Sequence, residues 1–462
     1  MNKLKHLVAC ILLTQTHGAY AEDLMTIYQQ ALEADPETKA AALSVEISKE
    51  QSGQALGQLL PQISGSTNWS INEQTSKNNA SREISSSYDG TRYYVSLNQS
   101  LLDFTKFWNW RRTHSITEQY DAQNLAAQHA LMHKVIEKYF AVLEAEDQLF
   151  FYQTERAAMA KRLEQTQKLY AKQLTKITDV YEVEARLDQL KASEIEAETI
   201  VVTAKQSLKE LTNAPFSELY RLKEDVDYRT LDGELDQWID VAKSENPTLV
   251  AQLKAIEAAR DSVAAQKSKF LPEVSLQLNY FDTNTGFQGV QLGSQTVTQT
   301  AAINVSVPIF DGGISIHQLF ESQHRLELAK NENEAKVREL IKETSDSFLS
   351  SNASVRRIAA SKKALISATK SREAKESGFK HGVETISDIL NAQQEEFKAK
   401  RELSQAKYAY IKHRAHFMRS IGMITEKNIQ EVNDWLQPKS AQPLIEEDKK
   451  LDIKVNSKPT SI

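Results

Sequence analysis

The same pattern is written twice in this chain, at a spacing that limits how it can fold. Asp35-Pro36 and Leu60-Pro61 return 211 residues later as Asn246-Pro247 and Leu271-Pro272. Leu101-Leu102-Asp103 answers to Ile309-Phe310-Asp311 at an offset of 208, and Ile177-Thr178-Asp179-Val180 to Ile386-Ser387-Asp388-Ile389 at 209. Near-constant offsets over four separated blocks mark a duplicated half-molecule, because solenoid units recur every ~20–50 residues. The halves are read as 22–212 and 246–421, with 213–245 and 422–462 outside the repeat.

Each half is mostly long helix. From Asp103 to Tyr170 there is no proline or glycine, and Leu125, Met132, Ile136, Tyr139 and Leu143 keep helical spacing. This predicts one helix roughly 100 Å long at 1.5 Å per residue, and the second half repeats it from Gly313 to Phe379. Shorter helices are expected over 36–59, 179–211, 247–270 and 388–421, so two of them stacked end to end match one long helix. Phe397 follows Leu390 by seven residues, and Leu403, Tyr410 and Phe417 are seven apart, the narrow stripe of coiled-coil packing. A coiled-coil scaffold would explain these helices equally well.

Four alternating segments between the helices break that tie. Ile63, Gly65, Thr67, Trp69 and Ile71 take one face against Ser64, Ser66, Asn68, Ser70 and Asn72, and Tyr93, Val95 and Leu97 oppose Tyr94, Ser96 and Asn98. In the second half Val274, Leu276, Leu278 and Tyr280 oppose Ser275, Gln277 and Asn279, and Ile303, Val305 and Val307 oppose Asn304 and Ser306. Each segment is about 10 residues, the length of a tilted membrane strand. The connectors 73–91 and 282–299 are expected to be long outward loops. Four strands cannot close a barrel, and open edges in lipid leave backbone groups unsatisfied, so other copies of the chain must complete it. Two copies give eight strands and three give twelve. An eight-stranded barrel is filled by its own side chains, so a conducting pore favours three or more.

The amino terminus reads as a secretory signal: Lys3 and Lys5, an apolar stretch from Leu7 to Leu13, and Ala19-Tyr20-Ala21 as cleavage site, with the mature chain starting at Glu22. Too few apolar residues precede Cys10 for a lipidated cysteine. Removal of 1–21 takes away the only cysteine and two lysines, so what remains is more acidic than the formal net charge of −6. That balance argues against nucleic acid, which needs a basic stripe. After the signal no apolar run is long enough for a membrane helix, which leaves the strands as the route into an outer membrane. The segment beyond 438, with Pro443 and Pro459 among charges, reads as a disordered tail.

No catalytic constellation emerges, so the chain is not read as an enzyme, and no cofactor or metal is expected. His129 and His133 have zinc-compatible spacing but no third ligand nearby, and like His413 and His416 they are assigned to solvated helix faces. Phe104, Phe107, Trp108 and Trp110 follow the second strand, where the chain would leave lipid; an aromatic girdle fits there, as does a buried cluster at a helix start. The turns 172–179 and 380–388 lie farthest from the strands. In a ring of helices Asp388 from each copy would form a cation-selecting carboxylate ring, whereas an aspartate favoured by a helix dipole is the plainer reading.

The signal, the duplication, the Leu-Pro step into each half's first strand, Pro308-Ile309-Phe310-Asp311-Gly312-Gly313 and Ile177-Thr178-Asp179-Val180 together resemble the TolC outer membrane efflux family, up to about Ile429. The likeness is to the type I secretion and multidrug efflux branch rather than the lipidated one. It implies a mainly α protein with a membrane β-barrel: a homotrimer with twelve strands, a twelve-helix periplasmic tunnel and an equatorial belt from 213–245 and the carboxy-terminal segment. The implied partners are a periplasmic adaptor and an inner-membrane ABC transporter or proton-driven pump, and the implied location is the outer membrane lipid. The resemblance places Asp388 at the closed entrance. Asn391 stands where the family has a second aspartate, giving three carboxylates rather than six. Glu384 and Phe379 stand where it has a latching arginine and tyrosine, while their partners Thr178 and Asp179 are kept. A reversed Lys176–Glu384 pair is the expected substitute, and Gly382 facing Gln173 marks where the two turns differ. A periplasmic coiled-coil adaptor and an uptake porin are the rival readings; the strands argue against the first and the helix content against the second.

Overall fold

The computed structural model describes residues 22–77, 83–216, 218–284 and 294–438. The signal-like segment with Cys10 and the tail from 439 lie outside the described residues. The first half runs α1 (Leu24–Ala34), α2 (Pro36–Gly57), β1 (Gln62–Lys77), β2 (Glu83–Leu102), α3 (Phe104–Ala171) and α4 (Ile177–Thr212). After β3 (Arg221–Leu222) the order recurs as α5 (Leu235–Glu245), α6 (Pro247–Ser268), β4 (Glu273–Thr283), β5 (Thr296–Ser306), α7 (Ile314–Lys380) and α8 (Ile386–Ser420), followed by α9 (Glu426–Asn433) and β6 (Leu436–Gln437). The helix α5 stands to α6 as α1 stands to α2, 211 residues on. The second half therefore starts within 213–245, not at 246. Only Leu24/Leu235 and Ala31/Ala242 are shared by the two short helices, too little to read from the letters.

The duplicated motifs are the punctuation of the fold. Asp35 and Asn246 are helix N-caps whose side chains accept from the Thr38 amide (2.8 Å) and the Thr248 amide (2.9 Å), with Pro36 and Pro247 at the first helical position, where a missing N–H costs nothing. Leu60-Pro61 and Leu271-Pro272 stop the same helices and turn the chain into β1 and β4. Asp103 caps α3 directly through the Lys106 amide (2.9 Å). Its counterpart Asp311 reaches over two glycines of positive φ to the Ser315 amide (2.9 Å). The long helices α3 and α7 have 68 and 67 residues, uninterrupted by proline. Among the described residues no helix is long and apolar enough to cross a membrane.

The strands form one antiparallel sheet in the order β1-β2-β4-β5, leaving one edge of β1 and one of β5 unpaired within the protomer. Register places Ile63, Leu97, Leu278 and Ala301 in one row and Ser64, Ser96, Asn279 and Thr300 in the next, so the apolar and polar faces are segregated across all four strands. Polar groups on the second face bond to each other: Ser64 to Ser96 at 2.8 Å, Tyr94 Oη donating to Asn279 Oδ1 at 3.1 Å, Asn304 to Gln277 at 3.2 Å. On the apolar face Trp69 and Tyr93 are exposed near its outer limit.

The first connector is not a long loop. Strands β1 and β2 stay paired from Gln62↔Asn98 to Lys77↔Glu83, so most of 73–91 is ladder; β2 pairs with β4 as well only from Arg92 to Leu102. A polar ladder in water needs no apolar face, and Ser, Thr, Tyr and Ile support it, which is why a composition that looked like a loop folds as strand. Strands β4 and β5 stop at Thr283 and Thr296; 285–293 lie outside the described residues.

Midway along the long helices lies a belt. Here α1, α9 and the β3–β6 pair cover Leu131, Val135, Ile136, Tyr139, Phe140 and Leu143 of α3 and Tyr408, Tyr410 and Ile411 of α8. The Asn433 side chain accepts from the Leu24 amide (2.9 Å) and donates to Asp23 (2.9 Å), tying the start of α1 to the end of α9. At Gly422, φ +72, an added Cβ would meet the Glu245 carbonyl at 2.6 Å, so the end of α8 closes on the α5–α6 junction only through glycine. The histidines also belong to this belt rather than to solvated faces. His129 is buried, His133 and His416 are half-buried with ring centroids 5.4 Å apart, and burial pushes all three, with His413, below the usual imidazole range. The α3 stripe that carries Met132 and Ile136 inward is wide enough to take its histidines with it.

Candidate functional site

The helix ends opposite the sheet are two turns of one design. The end of α3 is closed by the Gln173 amide to the Tyr170 carbonyl (2.8 Å) and the Leu174 amide to the Leu169 carbonyl (2.9 Å). At an offset of 209 the Gly382 amide reaches Phe379 (3.0 Å) and the Val383 amide reaches Gly378 (3.0 Å). Both are left-handed C-caps, with φ +60 at Gln173 and +74 at Gly382. Because nothing lies within 4 Å of a Cβ added at Gly382, Gly382→Gln should cost only the left-handed penalty, ~1 kcal/mol. Faster hydrogen exchange of the Val383 and Gly382 amides would show this; unchanged exchange would mean the turn is held by something else.

The next helices start on matched aspartates. Asp388 accepts from the Thr385 hydroxyl (2.5 Å) and amide (3.1 Å), while its own amide donates back to Thr385 Oγ1 (3.2 Å). These bonds, the hydroxyl's first, hold its carboxyl below the usual range, so it is charged at neutral pH. In the other turn Asp179 accepts from the Thr175 hydroxyl and the Lys176 amide (3.3 Å). Asp388 is half-buried; Asn391, one turn on, is exposed, as are Thr178 and Lys176. Asp388 is thus a helix cap whose charge still faces solvent.

Among the described residues of one protomer, no ion pair joins Lys176 to Glu384. Glu384 instead folds over Gly378, where an added Cβ would lie 2.7 Å from its Cγ. Phe379 packs half-buried against Met159, Val183, Leu187, Ile386 and Leu390.

Above the turns, charged groups that sequence reasoning missed join the two coiled coils. Arg401 of α8 reaches Glu155 of α3 at 2.6 Å and lies 4.7 Å from the Tyr152 ring. Arg162 of α3 meets Glu376 of α7 at 3.2 Å. Arg372 binds that same Glu376 at 2.8 Å and also Glu396, which Lys400 approaches to 3.0 Å. Glu155 is only 3% exposed; burial pushes its carboxyl up, and the Arg401 bond opposes that. One signal existed in the letters, Arg372 and Glu376 at helical i,i+4 spacing, but it concerns a single helix and says nothing of α3.

At the other end of α3, Phe104 and Phe107 are exposed while Trp108 and Trp110 are half-buried, with Phe107 5.6 Å from Trp108 and Arg111 5.2 Å from the Trp108 ring. Ile309 and Phe310, the counterparts of Leu101 and Leu102, are exposed in the protomer.

A sheet with one apolar face and two open edges, continued by helices nearly 70 residues long, defines a protein that joins a membrane barrel to a helical tunnel. The chain belongs to the outer membrane efflux protein family, which it matches over residues 27–214 and 238–423, the two halves of the duplication. It is similar to outer membrane protein TolC of Vibrio cholerae, 29% identical over 95% of this chain and 99% of the relative. It is also similar to alkaline protease secretion protein AprF of Pseudomonas aeruginosa, 28% identical over 92% of this chain and 89% of the relative. The solved CmeC outer membrane channel of Campylobacter jejuni superposes with a TM-score of 0.78 at 16% identity, covering 95% of this chain and 98% of that one, a likeness of fold alone. The family resemblance read from the motifs therefore holds, and the protein is one of the outer membrane.

Proposed function

We propose that three copies of this chain form a passive export duct, the outer membrane component of a type I protein secretion or efflux assembly. The observation that carries this reading is the four-stranded sheet with both edges open. In lipid those edges must pair, and three copies place β5 of one beside β1 of the next to give twelve strands and a wide lumen. A coiled-coil adaptor has no use for such a sheet. The helices beneath would form the periplasmic tunnel, and a periplasmic adaptor and an inner-membrane ABC transporter or proton-driven pump would supply energy and cargo choice. The likeness to a protease secretion protein favours polypeptide cargo.

The entrance is assigned to the two turns. Three Asp388 carboxylates would attract cations there, more weakly than six, since Asn391 adds no charge. With Lys176 and Glu384 unjoined inside one copy, any pairing between them runs between copies. Closure would rest chiefly on the Glu155–Arg401 and Arg162–Glu376 links, which must part if one coiled coil swings away from the other.

A strain lacking this chain should lose specific proteins from its medium, become sensitive to small toxic compounds, or both, and regain them on complementation. An unchanged secreted proteome together with unchanged susceptibility would refute the export reading.

A further inference from the structure

We propose that neighbouring copies meet by repeating a contact each chain already makes within itself: β5 pairs with β1 of the next copy in the register of β2 with β4, and α7 packs on the next copy's α2 as α3 packs on α6. This rests on the trimeric duct reading. In the sheet the duplication holds to the residue. Its offsets of 211 and 208 carry Ser64↔Ser96 of the first hairpin onto Ser275↔Asn304 of the second, and Gln62↔Asn98 onto Glu273↔Ser306. Carried in the same way, the central pairs Ser96↔Asn279 and Leu97↔Leu278 become Asn304 opposite Asn68 and Val305 opposite Thr67 of the next copy. Polar meets polar there, and Val305 lands on the face of Trp69 and Ile71, so the seam continues both faces of the wall. A slip of one residue would reverse them.

The helices carry independent support. Helix α6 packs against both long helices, whereas the one that α2 packs against extensively is α3, of its own half. The difference shows along one stripe. In α6, Asp261 meets Arg111 and Ser115 of α3 and is buried together with Ala258; their counterparts in α2, Glu50 and Ile47, are exposed. Lys254 of α6 reaches Glu118 of α3 at 2.9 Å, and its counterpart in α2 is Leu43, 63% exposed. An offset of 209 matches α3 to α7, with Leu131 and Leu340, and Tyr139 and Phe348, all buried. On that count Glu118 answers to Glu327 and Arg111 to Phe320. Around Glu327, α7 exposes Ile316, Phe320 and Leu328, which are spaced by multiples of four and so share one face. Leu43 and Ile47 on one copy and this stripe on the next are two apolar faces at matching places, each left to water in the single chain. The seam is ionic within a copy and apolar between copies.

Paired cysteines in the full chain, purified from outer membranes and mildly oxidised, test the register. Asn68→Cys with Asn304→Cys, or Thr67→Cys with Val305→Cys, should give covalent trimers on a denaturing gel that thiol dissolves, since one of two successive antiparallel pairs is the close kind that a disulfide spans. Strands β1 and β5 lie at opposite edges of the protomer's sheet, so such a link joins different copies. Asn304→Cys with Ser66→Cys or Ser70→Cys, two residues out of register, should stay largely unlinked. For the helices, Leu43→Glu would face Glu327 and should raise the concentration at which trimers dissociate by at least about tenfold. Leu43→Lys instead recreates the chemistry of Lys254 and Glu118 and should stay near wild type. Trimers that link in neither expected pair, or only in a shifted one, would overturn the register; equal behaviour of Leu43→Glu and Leu43→Lys would overturn the helix seam. Both outcomes leave the duct reading intact. A wild-type protein that forms no trimer would overturn the duct reading, and the seam with it.

Discussion

Replacing Arg401 with methionine is expected to leave the trimer open more of the time and the protomer markedly less stable. Glu155 would remain as a carboxylate 3% exposed without the guanidinium 2.6 Å away, and breaking one side of a buried pair typically costs ~3–5 kcal/mol. Single-trimer conductance should rise, because the link between α3 and α8 that lies nearest the turns is gone, while Asp147 and Glu144 still hold α8 closer to the belt. The loss has a pH signature. Burial already raises the carboxyl of Glu155 above its unfolded value, so its folded state favours the proton. The penalty is therefore absent below the unfolded value and grows as pH rises through the folded one, making the variant relatively better in acid. The double variant Glu155→Gln, Arg401→Met separates the two roles: stability should largely return, since no buried charge is left, while the raised conductance should persist. Wild-type closure in the double variant would show that this pair supports packing and does not hold the entrance.

The belt should weaken in acid through His133. Burial, and then the charges of Arg419 and His416, depress its imidazole from 6.5 to about 4. Glu137 stands 3.9 Å from its Nδ1, and Glu343, 3.6 Å from His416, binds Arg419 at 2.5 Å, so the nearby carboxylates are partly committed elsewhere. A depressed imidazole contributes stability above pH 6.5 that is lost as pH falls toward 4. The shift corresponds to about 3 kcal/mol as an order of magnitude. His133→Phe, which keeps the ring against His416 without the titration, should flatten the dependence of the unfolding midpoint on pH across that window. An equal slope in both proteins would assign the acid response to other groups.

The parts of this molecule that were legible in its sequence are those written in local chemistry. The Asp35-Pro36 and Asn246-Pro247 dipeptides are caps wherever they occur, and the alternation around Val95 and Leu278 fixes a face whatever the partner strand. The start and end of α3 follow from Asp103 and from the stretch without proline or glycine. What escaped depends on pairing at a distance. Glu155 and Arg401 are separated by 246 residues, and no local pattern joins them. The β3–β6 pair is two residues on each side, below any periodicity. The histidines of α3 were misplaced because four-residue spacing shows that they share a face but not which neighbour that face meets. Serine-rich β2 looked like loop because polarity on both faces is the mark of water, not of disorder.

The uninterrupted α3 also makes the molecule a lever. Its grip in the belt ends near Leu143, and from there to Ala171 the helix runs free of proline and glycine for about 42 Å at 1.5 Å per residue. A tilt of only about 5° at the belt would carry the turn sideways by roughly 4 Å over that arm, more than any of the ion pairs between the coils can stretch. The far turn can thus be displaced from the helix's middle, and a small rotation near Tyr139 is felt most strongly at Asp179.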